Sequence, residues 1–168
     1  MLKDKTAVYL ALGSNLGDRY ANLERGEDIL ASAGGFYLDR SSPTYESPAA
    51  DLPDQPKFLN RVLALDTWYE PREVLAACQR VEQAMGRERT TDKGPRIIDV
   101  DILLFGQAVV NEADLVIPHA ALARRPFFLQ PLLDLLGDIV PPGASQRLSQ
   151  MLAALAPYEL TRVEAKPY

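Results

Sequence analysis

Ile97-Ile98-Asp99-Val100-Asp101-Ile102-Leu103-Leu104-Phe105 is the clearest strand signal in the chain. It is a short, mostly aliphatic run, with Gly94-Pro95 shortly before it and Gly106-Gln107 directly after it. Upstream, Glu70-Pro71 opens a helix that runs to about Met85 and is ended by Gly86. Phe58 to Trp68 alternates Val62, Ala64 and Asp66 against Leu63, Leu65 and Thr67, the period of a strand. Before it, Ser47 to Pro56 carries three prolines, which fix φ and remove donors, so it is a loop. Its flanks are too short to be domains. Phe36 to Tyr45 reads as extended. Asp18 caps a helix that carries Leu23, Ile29 and Leu30 and ends near Gly34-Gly35. Thr6 to Leu12 is the first strand, broken by Gly13-Ser14-Asn15. The order is β-α-β, loop, β-α-β. It predicts an α+β fold, a ferredoxin-like βαββαβ sandwich with helices on one face of a largely antiparallel sheet. Downstream, Gly106-Gln107 turns into an extended Ala108 to Asn111. A helix over 120–136 is bent or divided by Pro126 and Pro131, and a helix over 145–156 and a short strand over 160–165 follow.

The chain has 168 residues, which suits one domain spanning 1–168 at roughly 100–200 residues per domain. Hydrophobic residues make up 47% and charged residues 24%, the balance of an ordinary globular protein. Apolar runs such as Ile102 to Phe105 are far below the roughly 20 residues that cross a bilayer. Met1-Leu2-Lys3-Asp4-Lys5 begins like a signal sequence, but Asp4 and the early Gly13-Ser14-Asn15 leave no adequate apolar stretch. The single cysteine, Cys78, cannot form an internal disulfide, and a cytoplasmic setting is expected. Cys78 shares helical spacing with Val74, Leu75, Val81 and Met85, so it reads as core and not as a nucleophile. A net charge of −5 argues against a general nucleic-acid binder while allowing a local basic site for a phosphorylated ligand.

Asp99 and Asp101 stand at i and i+2 of the strand, so their carboxylates face the same side about 6–7 Å apart. At an effective dielectric near 20 they repel by about 2–3 kcal/mol. A cation between them would relieve this. Mg²⁺ held by two carboxylates and substrate phosphates is one such cation, and arginines on an exposed strand face are the other. Arg87, Arg89, Lys93 and Arg96 crowd the preceding loop. Guanidinium forks match phosphate oxygens, although Glu88 and Asp92 could instead neutralise a solvated loop. Together, the two features make a cradle for a metal–polyphosphate. No Gly-x-x-x-x-Gly-Lys-Ser/Thr motif occurs, and Gly13 to Gly17 reads as a structural turn. His119, the only histidine, is structural or, with Arg124 and Arg125 nearby, a donor to phosphate. Phe58 and Asn60 share one strand face. They offer a ring to stack on and an amide, which suits a flat heteroaromatic ligand, although packing into the core explains the spacing as well.

Ala11 to Asp18, Asp54 to Asn60, Gly94 to Leu103 and Pro118 through Phe127 occur in this order. With them the chain resembles the 6-hydroxymethyl-7,8-dihydropterin pyrophosphokinase family over nearly its whole length, most specifically in Gly94-Pro95-Arg96-x-x-Asp99-x-Asp101. The resemblance implies transfer of pyrophosphate from ATP to the pterin hydroxymethyl group in folate biosynthesis, giving AMP. It implies two Mg²⁺ ions on Asp99 and Asp101, and Arg87 and Arg96 stabilising the transferring group. Gln79, Glu82, Arg89, Ile102, His119 and Arg125 would contact ATP. Phe58 and Phe127 would sandwich the pterin, with Asn60 on its polar edge and backbone at Ser47, Pro48 and Ala49 beside it. Lys93 stands where many relatives carry tryptophan, and Ala120 where they often carry proline or tyrosine. The expected partners are these two small molecules, with no nucleic acid and no membrane, and the expected state is a monomer. There are two rivals: a metal-dependent nucleotidyltransferase or phosphohydrolase, which the Asp-x-Asp and arginines would also serve, and a non-enzymatic RNA- or ligand-binding ferredoxin-like module, against which stand the net negative charge and the lack of a basic, aromatic sheet face.

Overall fold

The structure, a computed structural model, describes residues 4–50, 54–86 and 95–164. Its elements are β1 (Thr6–Ser14), α1 (Arg19–Ser32), β2 (Phe36–Ser41), β3 (Thr44–Ser47), β4 (Phe58–Thr67), α2 (Pro71–Ala84), β5 (Asp99–Phe105), β6 (Val110–Glu112) and β7 (Leu115–Ile117), then α3 (Pro126–Leu136), α4 (Leu148–Leu155) and β8 (Thr161–Val163). The main sheet runs β5-β1-β4-β3-β8, with β2 also paired to β4. Its strand pairs are antiparallel. This is the expected α+β arrangement: β1 and β4 lie side by side at the centre, and α1 and α2 are the two crossovers.

Local chemistry explains the elements. Asp18 accepts a hydrogen bond from the Ala21 amide at 3.1 Å and caps α1. The Glu73 carboxylate accepts from the Glu70 amide at 2.9 Å, and Pro71 pre-sets the first turn of α2. Val74, Ala77, Cys78 and Val81 then face the core. Cys78 is 1% exposed, and burial pushes its thiol up to about 12, so it is a core residue.

The structure corrects the sequence reading in several places. β1 does not break at Gly13: Gly13 and Ser14 continue it, opposite Asn60 and Leu59. The extended 36–45 segment divides at Ser42-Pro43, where the ladder jogs. There the Val62 amide donates to Ser42 Oγ at 2.9 Å, and Ser42 N donates to Val62 O at 2.8 Å. β5 begins at Asp99, two residues later than expected. The hairpin β6–β7 extends what reads as a single extended stretch. A 3₁₀ turn at Leu122–Arg124 precedes α3, so the division falls at Pro126, and Pro131 lies inside an unbroken helix.

The two crossover helices lie on one face of the sheet, as expected, and the C-terminal helices α3 and α4 cover the other. Val8, Leu10, Leu12, Leu63 and Leu65 pack in one core with α1 and α2 residues such as Leu23, Leu30 and Cys78. Ala11, Val62, Ala64, Leu103 and Leu104 pack on the opposite side with Phe128, Leu129 and Leu132 of α3 and Met151 and Leu152 of α4. β1 and β4 are therefore apolar on both faces, as central strands between two helical layers must be.

Candidate active site

Register aligns one row of residues across the sheet: Asp99 opposite Gly13, Gly13 opposite Asn60, and Asn60 opposite Tyr45. The next row holds Asp101, Ala11 and Val62. Alternation sends both rows to the face that α3 covers. A cleft of about 580 Å³ opens over the first row, lined by Gly13, Ala49, Phe58, Asn60, Arg96, Asp99, Asp101, Arg125 and Phe127 among others. A second cleft of about 620 Å³ lies against β5 and the β6–β7 hairpin, lined by Leu75, Asp101, Ile102, Asp114, Val116 and His119 among others. Asp101 lines both.

The two carboxylates have different surroundings. Asp99 accepts a charge-assisted bond from Arg96 Nη1 at 2.5 Å. Asp101 Oδ1 lies 3.9 Å from His119 Nε2. His119 Nδ1 accepts from the Ala121 amide at 3.0 Å, which leaves the ring proton on Nε2. Burial first, then the charges of Arg125 and Arg124, push its pKa down to about 4, so the ring is a neutral N–H donor at pH 7. It packs edge-on against Phe128 at 5.0 Å. The Arg125 guanidinium lies over Phe127 and Phe128, 5.8 and 5.2 Å from the ring centroids.

Asn60 is 5% exposed. Its Nδ2 donates to Tyr45 O at 3.1 Å and to Ser47 Oγ at 2.9 Å. Both amide hydrogens are thereby committed, and Asn60 offers the cleft an acceptor oxygen. Gly13 matters here because it has no side chain: a Cβ would stand 3.4 Å from Phe58 and 3.6 Å from Asn60 Oδ1, inside the space between the Asp99 and Asn60 columns.

Of the residues expected in the site, the structure brings Ala49, Phe58, Asn60, Arg96, Asp99, Asp101, Arg125 and Phe127 to the first cleft, and Ile102 and His119 to the second. Ser47 is buried behind Asn60 and touches it through its hydroxyl. Pro48 is half-buried in the loop that follows β3. Gln79 is exposed and Glu82 buried on α2, and neither lines these two clefts. Arg87 and Arg89, like Lys93, lie outside the described residues. Among the described residues, no three histidine, cysteine or carboxylate side chains converge as a metal cage.

Sequence reasoning missed Asn15, which it assigned to a turn. Asn15 is 2% exposed. Its Nδ2 donates to Gln55 Oε1 at 3.1 Å and Pro56 O at 3.2 Å, and its Oδ1 accepts from Arg96 N at 2.7 Å. It ties the end of β1 to both segments that wall the first cleft. A buried asparagine with all its partners distant in sequence leaves no local signal.

Residues 9–137 match the family model described as 7,8-dihydro-6-hydroxymethylpterin-pyrophosphokinase (HPPK). The chain belongs to the HPPK family. It is 39% identical over 159 residues to the 2-amino-4-hydroxy-6-hydroxymethyldihydropteridine pyrophosphokinase of Methylorubrum extorquens, covering 95% of this chain and 99% of that protein. It is also 42% identical over 153 residues to the folic acid synthesis protein fol1 of Schizosaccharomyces pombe, covering 91% of this chain but only 21% of that protein. The chain thus spans about a fifth of the length of that relative. In fold it resembles the HPPK-DHPS structure of Plasmodium falciparum, with a TM-score of 0.72 at 13% identity, covering 91% of this chain and 44% of that one. The stretch matched to the HPPK model runs from within β1 to just past α3 and so includes both clefts.

Proposed function

We propose that this HPPK-family chain transfers pyrophosphate from ATP to the hydroxymethyl group of 6-hydroxymethyl-7,8-dihydropterin, giving AMP and the pterin diphosphate for folate biosynthesis. The observation that carries this reading is that Asp101 lines two adjoining clefts. One is aromatic-walled with a fixed acceptor, and the other is bounded by Ile102 and a neutral histidine. A transfer between two bound substrates needs its anionic metal ligands at such a junction.

The roles follow from the donors and acceptors present. Phe58 and Phe127 stack on the faces of the pterin, and Asn60 Oδ1 accepts from an N–H on its edge. ATP occupies the cleft of Ile102 and His119, where His119 Nε2–H donates to a phosphate oxygen. The substrate hydroxyl oxygen forms a bond to the β-phosphorus and its proton passes to solvent, while the bond from that phosphorus to the α–β bridging oxygen breaks and AMP leaves with that oxygen. Arg96 and Arg125 offset charge that develops on the transferring group. Arg87 supplies a further guanidinium and Arg89 a further ATP contact. Two oxygen donors on one strand face, beside a neutral histidine, suit a hard cation, so Asp99 and Asp101 would hold Mg²⁺, with substrate phosphates completing the shell. When bound, Mg²⁺ lowers the negative charge that the incoming hydroxyl oxygen meets.

We read residues 1–168 as one such domain, since β8 beyond the matched stretch hydrogen-bonds to β3. A monomer is the working state. None of the described helices is long and apolar enough to cross a membrane. The cytoplasmic reading rests on the lone, buried cysteine.

The nucleotide product decides the reaction. With ATP, Mg²⁺ and hydroxymethyl-dihydropterin, AMP should appear in step with pterin diphosphate; ADP, or phosphate release without pterin, would replace this reading. A second expectation concerns the pterin pocket. Asn60→Ala should weaken pterin binding by about 1–3 kcal/mol while leaving ATP binding nearly unchanged. Calorimetry with each ligand alone tests it, with a thermal melt to separate the cost to the fold. Equal losses for both ligands would remove Asn60 from the pterin pocket.

A further inference from the structure

Arg72 stands in the first turn of α2, outside both clefts, and reaches across to the β6–β7 hairpin. Its Nη1 donates to Asp114 Oδ2 at 3.2 Å and its Nη2 to Asp114 Oδ1 at 2.9 Å, a bidentate pair. Nη2 also bonds Glu112. One turn on from Arg72, Leu75 lines the second cleft, as does Asp114 itself. The three charged side chains are about half exposed, at 53%, 47% and 65% for Arg72, Glu112 and Asp114. Ion pairs this exposed contribute little to stability. The hairpin is held by other means, since Leu115 and Ile117 are 5% and 1% exposed in the core. The clamp therefore needs another explanation than holding the fold.

Charge supplies one. The chain carries a net charge of −5, and Asp101 and Asp114 both line this cleft. A polyphosphate entering it meets carboxylates on two walls. We propose that Arg72 is a positioning residue for the nucleotide: it neutralises Glu112 and Asp114 and draws them toward α2, keeping the mouth of the second cleft open to an anion. This rests on the reading of that cleft as the ATP site.

Steady-state kinetics on the full chain, with calorimetric binding of Mg²⁺ and a non-hydrolysable ATP analogue, test the proposal. Arg72→Ala should raise the KM for ATP and the analogue Kd about five- to tenfold, with kcat and the KM for pterin within about twofold. The defect should shrink as salt rises, because exposed charges are screened. Arg72→Lys should recover most of it. The deciding variant adds Glu112→Gln and Asp114→Asn to Arg72→Ala. If charge is the cause, removing the unmasked carboxylates restores ATP binding. If the triple variant binds as poorly as Arg72→Ala, or Arg72→Ala binds normally, the proposal is overturned. Val116→Trp, which fills the cleft, separates this from the underlying reading. Raised KM for ATP there with normal binding in Arg72→Ala rejects only the role of Arg72. Unchanged KM in Val116→Trp rejects the ATP site itself, and the proposal with it.

Discussion

Asp101→Asn should lose turnover by on the order of a thousandfold, in a protein that melts no lower than its parent. The carboxylate lines both clefts, so its charge is where the phosphates of one substrate meet the hydroxyl of the other. Asparagine keeps the shape and one oxygen but not the charge that fixes a cation. On the folding side, the change removes one member of a pair that repels by about 2–3 kcal/mol, so stability should hold or rise. Asp99→Asn should lose activity to a similar degree but behave differently on heating. Asp99 is bonded to Arg96 Nη1 at 2.5 Å, with both side chains about one-fifth exposed. Losing that pair offsets part of the relieved repulsion, so this variant should melt about 2–4 °C below Asp101→Asn, a difference of roughly 1 kcal/mol. Melts with and without Mg²⁺-ATP, alongside AMP production across a Mg²⁺ titration, check both variants. Substantial activity with an unaltered metal requirement would take that residue out of the metal site. If both variants were unstable and metal dependence unchanged, the carboxylates would serve only to pair with arginines.

Asn15→Ala should cost about 2–4 kcal/mol of stability, because it strands the Arg96 amide and removes the shared partner of Gln55 and Pro56 in a nearly sealed site. For a chain of this length, that is a fall in Tm of roughly 5–15 °C. The functional effect should be as large. Gln55 and Arg96 both line the first cleft, so loosening their common anchor should raise the KM for both substrates well below the new melting temperature. Thermal melts and initial rates at a temperature where the variant is folded measure the two effects separately. A variant that melts within about 2 °C of the parent would show that the asparagine carries little of the load. A rise confined to one substrate would show that it anchors one wall only.

The chemistry-bearing pairs were legible because they depend on periodicity alone. Two-residue alternation put Asp99 with Asp101 and Phe58 with Asn60, and the structure keeps each pair on one face. Turn and capping residues located both crossover helices, from Asp18 to near Gly34-Gly35 and from Glu70 to Gly86, within about two residues of where they end, since these signals act within one turn of chain. The loop bonded to Asn15 was visible in its prolines, but its anchor was not.

Tertiary structure alone decided the rest. Ala11, Val62 and Ala64 read as strand residues and the C-terminal helices were expected, but nothing local says that α3 and α4 cover these residues. Asn15 finds its partners 40, 41 and 81 residues away. Asn60 is oriented by Tyr45 and Ser47 from a neighbouring strand, which makes it an acceptor toward the cleft where its residue type allows donor or acceptor. His119 is neutral because of burial and two arginines that meet it only in the folded chain. The sequence by itself determined which residue types share a strand face and where the two crossover helices start, because those depend on backbone geometry over a few residues. Which faces are buried, which polar groups satisfy each other and what charge each carries were decided only when distant segments were brought together and water was removed between them.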